Sequence, residues 1–425
     1  MVSKTGFPIT VQPGIPKLAP LPDGWVQMPL GHYLEVVKRP ANLKDDKEYD
    51  LVTVKRARGG VVRREHLLGK EISVKSQYNI EVGDFLISKR QIVHGACGIV
   101  PSYLDGSIVS NEYSVLNAKN KFELIFLKYL SESVHFQQTC FHSSIGVHIE
   151  KMIFKLDRWL KWPFNIPPVE EQKKISKILL TWDRAIEVTE NLISNSRKQK
   201  KSLVQQLFTG KKRLPGFREK WKLKTIGSFC SAFSGGTPSR TKEEYYGGTI
   251  PWVTSGKVND RFIYSVSEYI TDEGLKNSSA KCIERNNILV AMYGATAGKV
   301  AINMIDGATI NQAILALIPN SNCFDLFIFY LLEREMVKAL NLVQGGQPNL
   351  NASIIKSIKV EIPHLKEQQK IAAVLSTADK EIETLQQKLD YLRGEKKALM
   401  QQLLTGTRRV KIDGEDISQK EVVRA

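Results

Sequence analysis

Cysteine is scarce in this chain: five residues among 425, Cys97, Cys140, Cys230, Cys282 and Cys323, scattered, odd in number and never arranged as Cys-x-x-Cys. Neither a disulfide framework nor a thiolate zinc site is encoded, and each thiol is expected to be a small buried apolar group. His135, His142 and His148 around Cys140 fit no standard zinc spacing and have no counterpart set later in the chain, so no metal is expected. Long hydrophobic runs are missing too. No window approaches the roughly 18 apolar residues of a membrane span, and the opening MVSKTGFPITVQPGIPKLAPLPDGW lacks a signal-peptide pattern. A cytoplasmic protein without a membrane partner is expected.

Catalytic signatures are equally thin. A DNA methyltransferase needs a glycine-rich cofactor loop after a strand and an Asn/Asp-Pro-Pro-Tyr/Phe turn, yet the only Pro-Pro, in NIPPVEEQ, opens a helix and lacks both flanking groups. The string GATAGKV (Gly294 to Val300) has three residues between its glycines where a phosphate loop has four, and Val300 stands in place of the Mg²⁺-binding Ser/Thr. It reads as a tight turn. No catalytic residue and no cofactor are expected. Acid is in deficit as well: 61 Lys and Arg face 44 Asp and Glu, an excess of 17 positive charges that biases a soluble chain toward a polyanion, most simply nucleic acid.

What the chain does have is a line written twice. Ile166 to Gly210 aligns without a gap on Ile362 to Gly406, 196 positions later, with 20 identities in 45 positions. The same shift places Trp25, Leu30 and Gly31 on Trp221, Ile226 and Gly227. A period this long implies a duplicated domain plus connector and a pseudo-two-fold molecule, since solenoid units run to about 20 to 50 residues.

Apolar residues in the second copy fall at Ile371, Leu375, Ala378, Ile382, Leu385, Leu389, Leu392, Leu399 and Leu403, alternating steps of four and three with Lys396 in one gap. This is a heptad seam. The first copy follows with Ile175, Leu179, Trp182, Ile186, Ile193, Leu203 and Leu207, interrupted by Thr189, Ser196 and Lys200. Each helix is expected to begin after the prolines at 167–168 or 363 and to end at Gly210 or Gly406 in a left-handed cap. About 40 residues at 1.5 Å rise make a rod of roughly 60 Å. The first helix delivers the chain to the second globular part and the second runs back, so the pair is expected to be antiparallel, with the globular parts at opposite ends of a spacer.

The segments 25–165 and 211–361 hold short β-like runs broken by Gly, Pro and Asn, such as DLVTVKRARGGVV, GDFLIS, IPWVTSGKV and NNILVAMYG. The expected architecture is mixed α/β (α+β): two globular domains and two long antiparallel coiled-coil helices at 166–210 and 362–406, with tails at 1–24 and 407–425. The loops carry groups suited to nucleic acid: Lys55, Arg56, Arg58, Arg63 and Arg64 in the first domain, and Arg240, Lys242, Tyr245, Tyr246, Trp252 and Lys257 in the second. Arg and Lys neutralise phosphates and reach guanine edges, while Asn259, Gln347 and Asn349 have the amides that pair with adenine.

Taken together, the duplicated IPPVEEQKKIS...QQLFTG and IPHLKEQQKIA...QQLLTG, with SGGTPSR...YYGGTIPW at Ser234 to Trp252 and GGQPNLN at Gly345 to Asn351, resemble the specificity subunit of type I restriction-modification systems. The resemblance covers nearly the whole chain. It implies two target-recognition domains, each reading half of a bipartite, asymmetric site in double-stranded DNA, and helices on which two methyltransferase (modification) subunits dock. It also implies that S-adenosylmethionine-dependent methylation belongs to those subunits, and ATP-driven translocation and cleavage to restriction subunits in the full complex. The first domain departs from the pattern, with VTVKRARGG where VTSGKVND stands and SSIGVHIEKM in place of GGQPNLN. Two other readings stay open: a specificity subunit of a type II-like system with one combined cleavage-methylation partner, and a basic coiled-coil scaffold without sequence preference.

Overall fold

Between Pro168 and Gly210 the repeated segment contains no helix breaker, and it forms one helix over Val169–Phe208; its copy forms another over Leu365–Thr405. The computed structural model describes residues 16–210, 212–342 and 350–411. Gly210 and Gly406 close the two helices at φ +64° and +72°, the left-handed geometry expected of them. All fifteen leucine, isoleucine and tryptophan seam positions are buried or half-buried.

Contacts divide the chain into two units, 1–190 with 388–425, and 191–387. Each unit therefore holds one globular domain, the first half of its own helix and the last half of the other. Inside the first unit Asp183 meets Lys396 and Glu190 meets Arg393; inside the second, Ser196 meets Glu381 and Lys200 meets Asp379. Numbers rise along one helix as they fall along the other, so the pairing is antiparallel.

The seam is not purely a helix-to-helix contact, which corrects the sequence reading. At the domain ends, Ile175 and Leu179 join Leu403 in a core with Phe126, Phe136, Trp159 and Phe164, while Leu207, Ile371 and Leu375 pack with Phe327, Phe329 and Leu331. Aromatic side chains of the globular domains supply large apolar area there, and the helix ends bury their stripe against it. Cysteine also needs a correction: Cys97, Cys140 and Cys230 are buried, but Cys323 is half-buried and Cys282 is exposed.

The globular domains share a topology that their sequences hide. The first has a sheet ordered Leu34–Val36, Tyr113–Ala118, Phe85–Ser88, Cys97–Ile99, and a second ordered Val61–Leu68, Glu48–Val54, Ile108–Ser110, Gln77–Asn79. The other domain repeats both: Cys230–Ser234, Ile314–Pro319, Ile288–Ala291, Val300–Asn303 with an added edge strand Phe262–Ile263, and Glu268–Ile270, Tyr246–Val253, Ala308–Ile310, Lys281–Ile283. The parallel pair in the middle of the second sheet recurs as well, Leu51 on Ile108 and Trp252 on Thr309. A two-stranded ribbon closes each domain before its helix, Val26 on Ile166 and Lys222 on Ile362, in identical register under the 196-residue shift. GATAGKV is the turn between Ile288–Ala291 and Val300–Asn303, with Gly298 N–H donating to Ala291 O at 2.8 Å.

Candidate nucleic-acid interface

One buried carboxylate fixes each domain on its helices. Glu171, in the first helical turn, is 0% exposed; it accepts from Trp25 Nε1 at 3.0 Å and takes a bidentate grip from Arg409, both bonds at 2.8 Å. In the other unit Glu367 accepts from Trp221 Nε1 at 3.2 Å and from Arg213 at 2.8 and 2.9 Å. Trp, Glu and Arg are each displaced by 196 positions. The following glutamines repeat as well: Gln172 donates to Pro167 O and accepts from Glu123 N–H, while Gln368 donates to Pro363 O and accepts from Phe324 N–H.

Farther along, Asp183 accepts from Tyr129 Oη at 2.7 Å, Lys128 at 3.0 Å and Lys396 at 2.7 Å. Asp379 accepts from Tyr330 Oη at 2.7 Å, Lys200 at 2.5 Å and Arg261 at 3.3 Å. Burial alone would raise both carboxyls, but the lysine, the tyrosine and the further cation hold each below the usual carboxylate range. Tyr129 and Tyr330 are pushed up, first by burial and then by the carboxylates they donate to. The two lysines that interrupt the seam are thus interhelical ion-pair partners, and the tyrosines tie each globular domain to the same pair.

Above these anchors the surfaces differ. In the first domain the strands Glu48–Val54 and Val61–Leu68 form a hairpin whose turn carries Lys55, Arg56 and Arg58. Ala57 and Arg58 sit at φ +53° and +57°, and their N–H groups donate to His94 O and Gly95 O. This strained turn is held by tertiary hydrogen bonds. Lys55 and Arg56 are exposed, with Arg56 paired to Glu150 at 2.9 Å. Arg58 is half-buried and donates through Nε to Ser131 O at 3.2 Å, so part of its side chain serves the fold. A bulge between Leu51 and Val52 breaks the alternation and leaves Arg63, Arg64, Glu65 and His66 all exposed. Arg63 pairs with Asp50 and Arg64 with Glu65. His66 lies between Asp50 and Glu48, whose hydrogen bonds raise its pKa.

In the second domain SGGTPSR crosses Ala308–Ile310 so closely that a Cβ on Gly235 would come 1.8 Å from Ile310 O. That approach brings Arg240 over Tyr246 and Trp252, its guanidinium 4.7 and 5.0 Å from the ring centroids, with Glu268 accepting at 2.9 Å. Trp252 is 2% exposed and donates to Gly236 O, and Tyr245 is buried and bonded to Lys242. Neither ring faces solvent, a correction to their expected role as direct contacts: they support Arg240 and Lys242. Lys257 pairs with Asp260 at 2.6 Å, and Asn259 donates to Gly256 O within its own turn. Gln347 and Asn349 lie outside the described residues.

Sequence reasoning missed Glu171, Glu367, Asp183, Asp379, Arg213 and Arg409. The signal was present. Glu171 and Asp183 recur as Glu367 and Asp379, and Arg213 as Arg409, under the same 196-residue shift as the seam.

The family model for the type I restriction modification DNA specificity domain matches residues 22–195 and again 218–393. The chain is similar to the type I restriction enzyme MjaVIII specificity subunit of Methanocaldococcus jannaschii, 25% identical over 421 residues, 92% of this chain and 94% of that one. It is also similar to the specificity subunit of an Escherichia coli type I restriction enzyme, 27% identical over 238 residues, which take in 51% of this chain but only 57% of that protein. Among solved structures, the type I restriction-modification system S subunit from M. genitalium superposes with a TM-score of 0.57 at 15% identity, covering 93% of this chain and 98% of that one. At that identity the likeness is one of fold.

Proposed function

The chain belongs to the type I restriction modification DNA specificity family, and we propose that it reads a bipartite, asymmetric DNA site, one half by each globular domain, while its helices dock two methyltransferase subunits. Restriction subunits join in the full complex. The chain supplies the address; methylation and cleavage fall to its partners, in the cytoplasm.

One observation carries this reading: identical anchors lie beneath different surfaces. The Trp–Glu–Arg set and the Asp–Lys pair repeat at 196-residue spacing, and a tyrosine of each globular domain, Tyr129 or Tyr330, donates to the aspartate, so both domains are held alike. The exposed cations repeat in no such way: Lys55, Arg56, Arg63 and Arg64 lie along one hairpin, while Arg240 lies over Tyr246 and Trp252 and Lys242 over Tyr245. Equal mounting with unequal faces suits two readers of two different half-sites. Phosphate contacts by the lysines would position each domain, and arginine forks would read base edges.

The test is selection. The purified chain, a methyltransferase partner and S-adenosylmethionine are incubated with a random-sequence duplex library, and methylated products are sequenced. A split motif with two fixed halves and a fixed gap is expected. Products without a shared motif would reduce the chain to a basic scaffold, and methyl transfer by the chain alone would overturn the non-catalytic reading.

A further inference from the structure

An apolar fingertip projects from the first domain beside its basic turn. Residues Ser144–Ile145 and Ile153–Phe154 form a short antiparallel ribbon, Ser144 on Phe154 and Ile145 on Ile153. Its base is fixed: Phe154 and Met152 are buried, Phe154 N–H donates to Lys89 O at 2.9 Å, and Lys155 N–H donates to Ser143 O at 2.8 Å. Its end is not. Val147 is 95% exposed, with Ile145 at 47% and Ile153 at 42%. A β-branched side chain left almost wholly in water contributes nothing to the domain's own core, and three grouped on one projection form a contact surface in want of a partner.

The surroundings select the partner. Glu150, in the turn of the ribbon, accepts from Arg56, which ties the fingertip to the hairpin turn bearing Lys55. Lys151 and Lys155 flank it, exposed and without an ion pair among the described residues. Apolar tip and free ammonium groups on one narrow support match a DNA groove, where the wall is phosphate and the floor carries apolar methyl groups. The major groove, about 12 Å wide, admits a two-stranded ribbon, and among its base edges only thymine offers a methyl. The residue at the end of the projection is Val147, shorter than the Phe, Leu, Ile or Met that unstack bases from the minor groove, while Ile145 and Ile153 are held lower down, paired with each other in the ribbon.

We propose that the ribbon at 144–154 enters the major groove of the half-site read by the first domain, that Val147 packs on the C5-methyl of a thymine there, and that Lys151 and Lys155 neutralise the flanking phosphates. This rests on the first domain reading a half-site.

The test replaces each thymine of that half-site in turn by uracil, which removes one methyl group and no hydrogen bond, and measures affinity of the chain–methyltransferase complex for each duplex. One replacement is expected to weaken wild-type binding about fourfold, the worth of one buried methyl group. In Val147→Ser the same replacement is expected to make no difference, while Lys151→Ala weakens binding to every sequence and flattens the salt dependence. Undiminished thymine–uracil discrimination in Val147→Ser, no discrimination in the wild type, or a half-site without thymine overturns the proposal. So does a Val147→Ser variant whose only defect is assembly with the methyltransferase, which would make the fingertip a protein-docking surface. A duplex with that half-site scrambled separates the two levels. If the wild type binds it poorly while uracil has no effect, the half-site reading stands and the ribbon proposal falls; if it binds it equally well, the domain reads nothing.

Discussion

Lys396 stands in the heptad seam where a leucine would pack, and its removal gives a calculable result. Its ammonium lies 2.7 Å from Asp183, 4.0 Å from Glu132 and 5.5 Å from the Tyr129 ring centroid. Lys396→Met keeps the aliphatic stem and deletes the charge. Asp183 still accepts from Tyr129 and Lys128, so it stays ionised and satisfied, and the loss is one charge-assisted hydrogen bond, about 1.5 to 2 kcal/mol at this partly screened site. Asp183→Leu is worse. It leaves Lys396 with only a distant Glu132 and the buried Tyr129 hydroxyl with no carboxylate, at a cost of about 3 to 5 kcal/mol. The double variant removes both charges and fills the seam, so it is expected to be less destabilised than the sum of the singles by about 1 to 2 kcal/mol. Urea unfolding gives the totals, and hydrogen exchange of helix amides near 183 and 396 localises them, because a chain of two units need not unfold in one step. Lys200→Met and Asp379→Leu should show the same non-additivity. Strict additivity in both units would refute the claim that these lysines are kept in the seam to pair with the opposite helix.

Arg409→Ala strands the buried Glu171 and is expected to destabilise the first unit by about 3 kcal/mol, with Glu171→Gln restoring most of the loss; thermal unfolding followed by domain-specific probes checks it, and Arg213→Ala should do the same to the second unit. Because the neighbouring lysine and tyrosine hold Asp183 and Asp379 below the usual aspartate range, their stabilisation is present above the unfolded value and lost as pH falls through the lower folded one. Acid titration below about pH 4 should therefore loosen both helix pairs, and Asp183→Asn should flatten that loss in the first unit. Lys55→Ala should leave stability unchanged and reduce the slope of log affinity against log salt by about 1, whereas Arg58→Ala should cost about 1.5 kcal/mol of domain stability; equal salt slopes in both would place Arg58 on the DNA. Exchanging residues 25–165 for the matching part of a related subunit should change one half of the selected motif only, and a change in both halves would contradict modular reading.

The helices were legible in the sequence because their signal is periodic and bounded: a four-three seam, prolines before it and Thr-Gly after it. The shared topology of the globular domains was not. Their strands are two to eight residues long, and the pairings that define the sheets join residues far apart in the chain, such as Leu51 with Ile108, so no local pattern reports them. The candidate contacts were chosen by residue type, and type does not report burial. Trp252 is in the core where it donates to Gly236 of the glycine-rich crossing, Tyr245 is buried where Gly274 packs against it, and Arg58 is turned inward by a left-handed backbone that residue composition does not signal. Arg240 stays at the surface, its guanidinium over the Tyr246 and Trp252 rings.

The repeat also explains a feature that a simple tandem duplication does not. Arg213 follows the first helix directly and grips Glu367 at the start of the second; its counterpart Arg409 follows the second helix and grips Glu171 at the start of the first. Within the second unit the chain runs on by peptide bonds from Arg213 to Trp221, and both donate to the same carboxylate. Within the first unit the equivalent pair, Arg409 and Trp25, converges on Glu171 from distant parts of the chain, with Arg409 also donating to Asp23 O at 2.5 Å and Gly406 lying against Pro22. One of the two junctions is covalent and the other is made by side chains alone. In the first unit the buried glutamate with its tryptophan and bidentate arginine therefore joins by side chains what the second unit also joins by peptide bonds. This is why Glu171 of the repeated line recurs as Glu367 and the arginine just past it, Arg213, recurs as Arg409.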